Sequence, residues 1–318
     1  MVTLDDIRAA QDRIAGLVRE TPVKPSPSLS RLAGGPVWLK CEHRQETGAF
    51  KLRGASNAVA RLGRVAGVTT ASTGNHGRAL AHAARAQGLR AVICLSSLVP
   101  ANKRQAITDL GAEARIIGDS QDDAFHEARR LQRDEGFALI PPFDHADVIA
   151  GQGTLGLEIL AQIPDCGAIA VPLSGGGLLA GVALAAKALR PDIRIIGISM
   201  ERGAAMAASL QAGMPVEVQE LETLADSLGG GIGLKNRLTF PMVRDLMDDL
   251  ILLTEAEIAA GIRHLAREDG ETVEGAAAVG AAAVLAGKLR MQGPLVLILS
   301  GGNIDPDRHA AILAGEKP

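Results

Sequence analysis

Glu46-Thr-Gly-Ala-Phe-Lys51-Leu-Arg-Gly-Ala55 sets a lysine at the mouth of a predicted helix, between glycines and directly after Phe50. Taken alone, the stretch reads as an ordinary solvated helix lysine. A lysine that must approach a carbonyl carbon has a stricter need: it must be unprotonated, and burial achieves this by disfavouring the charged form. Two glycine-rich loops and one late serine turn the reading of Lys51 toward that chemistry.

The composition narrows the function classes first. A chain of 318 residues suggests about two domains. With 47% apolar and 22% charged residues and a net charge of -3, it is ordinary globular protein. Its 37 glycines gather in loops without a collagen-like period, which points to close approach of backbone to ligand. Aromatics are 2% and tyrosine is absent, so no base-stacking platform is expected, and no basic run suggests nucleic acid. Cys41, Cys94 and Cys166 are far apart and odd in number, which fits reduced thiols better than disulfides or zinc. The first residues lack a signal-peptide pattern and no apolar run reaches membrane-spanning length, so a cytoplasmic protein without a membrane partner is expected.

Working outward from Lys51, elements alternate. Thr3 and Asp6 resemble a capping box, and Ile7, Ala10, Ile14 and Leu17 then share one helical face. Pro22, Pro25 and Pro27 end that helix in an extended stretch, and Val37-Trp-Leu-Lys-Cys41 reads as a strand. Strands are expected at 67–71, 90–95, 113–117 and 137–140, with helices at 52–62, 75–87, 100–110 and 121–135. Gly88, Gly111 and Gly136 stand where helices should stop. After Pro141-Pro142 a second series follows: helices at 154–162, 178–189, 203–212, 255–269 and 274–289, strands at 167–172, 193–199, 249–253 and 294–299. Such alternation means an α/β fold with parallel sheets covered by helices on both faces.

Ser72-Thr-Gly-Asn-His-Gly77 follows an apolar strand and opens a helix, a geometry that aims several N–H groups at one point. A substrate carboxylate suits it; a plain N-cap by Ser72 or Thr73 explains it equally well. Ser174-Gly-Gly-Gly-Leu178 follows another strand, and three glycines in a row are better explained by backbone approach to a phosphate than by a tight turn. Gly151-Gln-Gly-Thr-Leu-Gly156 matches the literal dinucleotide fingerprint, but no clean strand precedes it, so it reads as a helix start. Leu295-Val-Leu-Ile-Leu-Ser300 ends a buried strand on a serine, where open α/β sheets place ligands; its alternative role is to cap the next turn. Glu274 opens an alanine-rich helix, where a carboxylate suits the dipole.

In this order the four motifs resemble fold type II (β-family) pyridoxal-phosphate enzymes, in the threonine/serine dehydratase and serine racemase branch. The resemblance spans essentially the whole chain. It implies a large domain of residues 1–63 and 146–318, a small domain of 64–145, and the cofactor pyridoxal 5'-phosphate between two doubly wound parallel sheets. Lys51 would link to the cofactor and later move the Cα proton. Backbone donors of Ser174, Gly175, Gly176, Gly177 and Leu178 would hold the phosphate. Asn75 would contact the ring oxygen, with Phe50 behind the pyridine and Glu274 also at the cofactor. Ser72, Thr73, Gly74, Asn75 and His76 would hold the substrate carboxylate, and Thr73 stands where racemases carry a catalytic serine. Ser300 would face the pyridine nitrogen, where a hydroxyl cannot sustain the protonated ring as a carboxylate would; elimination is then favoured over transamination.

The implied reaction converts a β-hydroxy amino acid such as L-threonine or L-serine to a 2-oxo acid and ammonia. The implied assembly is a homodimer. Departures also carry expectations. Ser174 replaces the first glycine of the family's loop, and Gly275 follows Glu274 in place of proline. Glu201 lacks its acidic partner, which is Ala207, so no metal is expected. Fifteen residues follow Asn303, so no C-terminal regulatory domain is expected. The segments 226–233 and 271–279 look most like the dehydratases of hydroxyectoine utilisation, which would make the substrate a hydroxylated diamino acid derivative. The alternatives are a racemase, a β-replacement enzyme, an NAD-dependent dehydrogenase built on 151–156, or a non-catalytic amino-acid sensor.

Overall fold

The computed structural model describes residues 2–72 and 74–316. The Asp6 amide donates to Thr3 Oγ1 and the Thr3 amide to Asp6 Oδ2, so the first helix starts at its capping box. The helices are α1 Leu4–Ile14, α2 Pro27–Ala33, α3 Lys51–Ala60, α4 Asn75–Ala86, α5 Ala101–Asp109, α6 Gln121–Glu135 and α7 Ala146–Gln162. They continue as α8 Gly177–Leu189, α9 Ala205–Ala212, α10 Thr239–Leu246, α11 Glu255–His264, α12 Gly275–Leu285 and α13 Pro306–Ala314. Gly88, Gly111 and Gly136 follow α4, α5 and α6 with positive φ, the left-handed conformation that stops a helix without a Cβ penalty. Among the described residues no helix is long and apolar enough to cross a membrane.

The strands are β1 Val23–Pro25, β2 Val37–Lys40, β3 Gly67–Ala71, β4 Ala91–Leu95, β5 Glu113–Ile116, β6 Phe137–Leu139, β7 Ala168–Pro172, β8 Arg194–Met200, β9 Asp249–Leu253 and β10 Leu295–Ile298. They form a four-stranded parallel sheet in the order β5-β4-β3-β6 and a six-stranded sheet in the order β1-β2-β10-β7-β8-β9. The apolar runs of β4, β7 and β10 are buried throughout, as expected for strands covered on both faces. β7 and β10 are neighbours separated by more than a hundred residues of chain, and the loops leaving their C-terminal ends line one cavity. That is where open α/β sheets form a crevice.

Several details depart from the sequence reading. The stretch between Pro22 and Pro27 is not merely extended: β1 adds an antiparallel edge strand to β2, and Ser26 caps α2. Its Pro25 is tolerated because an edge strand leaves amides unpaired. α1 ends at Ile14, before Leu17. α11 continues through Leu265–Asp269 as a π-helical turn, and α10 and α13 were not anticipated.

The largest difference is α7, which begins at Ala146 and not near 154, so Gly151–Gly156 lie inside it. These glycines serve helix packing. A Cβ on Gly151 would lie 2.6 Å from the Arg53 carbonyl, one on Gly153 2.6 Å from Ile7 Cδ1, and one on Gly156 2.9 Å from the Val182 carbonyl. α3 and α8 therefore approach α7 at backbone distance, and α1 lays the Ile7 side chain directly on it. Glycine costs a helix about 1 kcal/mol, which is why the run reads locally as a break; tertiary contact overrides it.

Candidate active site

Lys51 is the first residue of α3, and its position is fixed from both sides. Before it, Ala49 bridges Gly301 and the Phe50 amide donates to the Ser300 carbonyl at 3.0 Å, stitching the lysine loop to the end of β10. After it, Gly54 lets α3 press on α7, where a Cβ would meet Gln152 Nε2 at 2.5 Å. Lys51 Nζ donates to the Pro142 carbonyl at 2.8 Å and lies 5.2 Å from the centre of the Phe50 ring. Burial pushes its pKa down from 10.5 to about 8, against the opposing charge of Glu274. An amine in this state is available as a nucleophile or base near neutral pH, the condition the sequence implied for Lys51.

Two residues further along, Arg53 is wholly buried in a charge quartet that sequence reasoning missed. It donates to Glu42 at 2.7 and 2.8 Å and to Glu158 at 2.6 and 2.8 Å, and Lys40 donates to Glu158 at 2.7 Å. Two cations meet two carboxylates, so the cluster is neutral. Burial alone would raise the Glu42 carboxyl, but Arg53 outweighs it and holds the pKa below its ordinary value. No local pattern marks it: Leu52 to Val59 are all buried, so α3 has no solvent face there on which a lone arginine would stand out.

The loop after β3 brings Ser72, Gly74, Asn75 and His76 to the cavity that Lys51 lines; Thr73 lies outside the described residues. Gly77 permits the turn, since a Cβ there would sit 2.1 Å from the Ser72 carbonyl. Asn75 Nδ2 donates to Glu274 Oε1 at 2.8 Å, and Asn75 Oδ1 accepts from Asn303 Nδ2 at 2.6 Å. The Asn75 amide is thus oriented at both ends. The His76 ring is committed elsewhere: Nε2 meets the Ile140 carbonyl at 2.9 Å. Burial and the Lys51 charge push its pKa down to about 3, so it is neutral and Nε2–H is the donor. What His76 can offer a carboxylate is its backbone N–H.

The glycine loop leaves β7 and runs into α8. Protein groups explain its glycines as directly as a ligand would. A Cβ on Gly175 would lie 2.3 Å from the Phe143 ring, and one on Gly177 3.0 Å from Phe143 Cβ. Gly176 has φ +88°, and a Cβ there would meet Val243 at 2.8 Å. Ser174 and Leu178 complete the loop's contribution to the cavity, which Phe50, Glu274 and Ser300 also line from other elements. Glu274 stands at the N-cap position of α12 without a side-chain cap bond and is almost fully buried; burial, then the charge of Asp226, raises its pKa to about 7.

The cavity, of about 270 Å³, is lined by every described residue that the resemblance assigned to the cofactor or the substrate carboxylate. It also takes in Pro142, Phe143, Asp226 and Ser227, to which the sequence reading gave no site role. Pro141-Pro142 had read as a boundary between two series of elements. No sequence signal pointed to Phe143, because glycines 175 and 177 show only that something approaches the backbone closely. The donor set fits pyridoxal phosphate, with a partly buried amine for the aldehyde and the N-terminus of α8 for the phosphate. A neutral hydroxyl at Ser300 suits the ring nitrogen, and the Asn75 amide the ring oxygen.

Cys41, His43 and Glu271 form a separate cluster with metal-like spacing. Its carboxylate is already taken by Lys24, His43 and Arg44, and burial pushes the Cys41 thiol up to about 12. The donors present are those of an ion-pair hub.

The chain is similar to known proteins over nearly its whole length. The sequence profile of the pyridoxal-phosphate dependent enzymes matches residues 14–301. The chain is 55% identical to a putative threonine dehydratase of Sinorhizobium fredii, over 99% of this chain and 96% of the relative. It is 41% identical to an L-threonine ammonia-lyase of Thermotoga maritima, over 96% of this chain and 76% of the relative. The solved structure of maize serine racemase superposes with a TM-score of 0.92 at 36% identity, covering 99% of this chain and 97% of the other.

Proposed function

We propose that this chain, which belongs to the pyridoxal-phosphate dependent enzyme family, is an ammonia-lyase that converts L-threonine or L-serine to a 2-oxo acid and ammonia. The observation that carries the reading is Lys51, whose partly buried amine shares one cavity with the glycine loop, Asn75 and Ser300. Pyridoxal phosphate would supply an aldehyde that binds amines and a ring that draws electrons from the substrate Cα. Lys51 would hold it, Ser174 to Leu178 would hold its phosphate, and Asn75, Ser300, Phe50 and Glu274 would surround its ring.

The chain's own residues supply the rest. Backbone N–H groups at Ser72, Gly74, Asn75 and His76 orient the substrate carboxylate at the start of α4. The Pro142 carbonyl holds one N–H of the Lys51 amine, so its lone pair faces away from that oxygen and is free to take the Cα proton. The Ser300 hydroxyl offers no negative charge to a protonated ring nitrogen, which favours loss of the β-hydroxyl over storage of charge at Cα. Water leaves, and hydrolysis of the product returns a water and releases ammonia.

A second reading concerns substrate size. Beyond the cavity lies an outer lobe of about 520 Å³, lined among others by Arg78, Lys103, Asp226 and Arg308. It gives room for a substrate extended past Cβ, such as a hydroxylated diamino acid derivative. Homodimerisation and a cytoplasmic location belong to the same proposal.

The test is a 2-oxo acid assay of the purified holoenzyme over a panel of β-hydroxy amino acids. Rapid turnover of threonine or serine supports the first reading. Turnover of extended substrates alone supports the second. Release of a D-amino acid with no 2-oxo acid overturns both.

A further inference from the structure

Between β6 and α7, three consecutive residues touch three different parts of the site. The Pro142 carbonyl accepts from Lys51. The Phe143 ring lies where a Cβ on Gly175 would be, at 2.3 Å, and Phe143 Cα and Cβ stand 3.0 Å from where a Gly177 Cβ would sit. Asp144 reaches the other way. Its Oδ1 accepts from the backbone amides of Leu238 at 2.8 Å and Thr239 at 2.9 Å, and its Oδ2 from the amide of Arg237 at 2.9 Å.

Those three amides are the unpaired donors at the start of α10, a helix whose own cap residue supplies no side-chain bond. Asn236 satisfies the next one, taking the Phe240 amide at 2.8 Å. A carboxylate almost a hundred residues away thus serves as the cap and meets the helix dipole with negative charge. α10 in turn backs the glycine loop: Val243 and Thr239 stand 2.8 and 3.2 Å from where a Gly176 Cβ would be. The loop is held between Phe143 on one side and α10 on the other, and residues 143 and 144 anchor both.

We infer that Asp144 is a positioning residue for the phosphate-binding loop, acting through α10 and Gly176 without touching the ligand. The inference rests on the reading of Ser174–Leu178 as the phosphate site. A loop whose backbone donors must converge on one anion depends on the placement of its supports, whereas the amine at Lys51 does not depend on α10.

The experiment titrates full-length chain, freed of cofactor, with pyridoxal 5'-phosphate and separately with pyridoxal, which lacks the phosphate. In the unaltered protein the phosphate strengthens binding. Asp144→Ala is expected to weaken pyridoxal 5'-phosphate by about tenfold, the loss typical of a removed cap, and to leave pyridoxal binding unchanged. Asp144→Asn, which keeps an acceptor oxygen, should restore a large part of the difference and also serves where the alanine variant folds poorly. Equal weakening of both ligands, or no change in their ratio in either variant, would overturn the inference. An unaltered protein that binds both ligands equally would remove the phosphate-loop reading itself.

Discussion

The side-chain amide of Asn75 donates to the carboxylate of Glu274 at 2.8 Å, joining the first residue of α4 to the residue at the N-cap position of α12. One bond thus links the loop after β3 to the helix that lies against the six-stranded sheet. Because Asn303 occupies Asn75 Oδ1, the amide has one orientation, and its remaining N–H is the group left for a ligand oxygen.

Glu274 should make stability depend on pH in an unusual direction. Its pKa rises from 4.5 to about 7 on folding, so between those values the folded state binds the additional proton. Stability then falls as pH climbs through this window. Glu274→Gln should flatten the curve, with a gain over the parent on the order of 2 kcal/mol by pH 8. Thermal melts of the cofactor-free proteins between pH 5 and 8 check it; parallel curves contradict it.

Lys51 carries the opposite sign. Its pKa falls from 10.5 to about 8, so the folded state sheds a proton first and stability rises as pH climbs from 8 to 10.5. Lys51→Met should abolish turnover and still melt higher than the parent at pH 7, by an amount equivalent to roughly 2 kcal/mol. A variant less stable than the parent at pH 7 would show that the amine is not strained by burial.

Arg53 should be far less replaceable than its place on a helix suggests. Arg53→Met leaves the buried Glu42 without its main partner, and the partly buried Glu158 with Lys40 alone, a change that costs about 3–5 kcal/mol. Urea denaturation measures it. A loss below about 1 kcal/mol would mean that the quartet does not anchor α3.

Gly151 offers a test of the packing of α7. Gly151→Ala puts a methyl 2.6 Å from the Arg53 carbonyl and should cost about 1–3 kcal/mol despite alanine's better helix propensity. Gly63→Ala, with open space around it, should be nearly neutral. If Gly151→Ala stabilises the protein, the reading of 151–156 as a packing seam is wrong.

Much of this was legible in the sequence because the signals were local. Thr3–Asp6 and the glycines at 88, 111 and 136 each act within one turn of chain, and the apolar strands declare themselves by their neighbours. Lys51, Asn75, the glycine loop and Ser300 were legible as four separate loops that the fold was expected to bring together. What stayed hidden depends on contacts distant in sequence. Asp144 looks like a loop aspartate until α10 is placed against it, and Arg53 looks solvated until Glu42 and Glu158 close around it. Gly151–Gly156 look like a break because their partners lie on α1, α3 and α8.

The central claim is that Lys51 is the residue that binds the cofactor. The direct measurement is borohydride reduction of the purified holoenzyme followed by peptide mass spectrometry. The account predicts the cofactor's mass on the peptide carrying Lys51 and on no other. Cofactor fixed to a different lysine, or protein that carries none after incubation with pyridoxal 5'-phosphate, would contradict it.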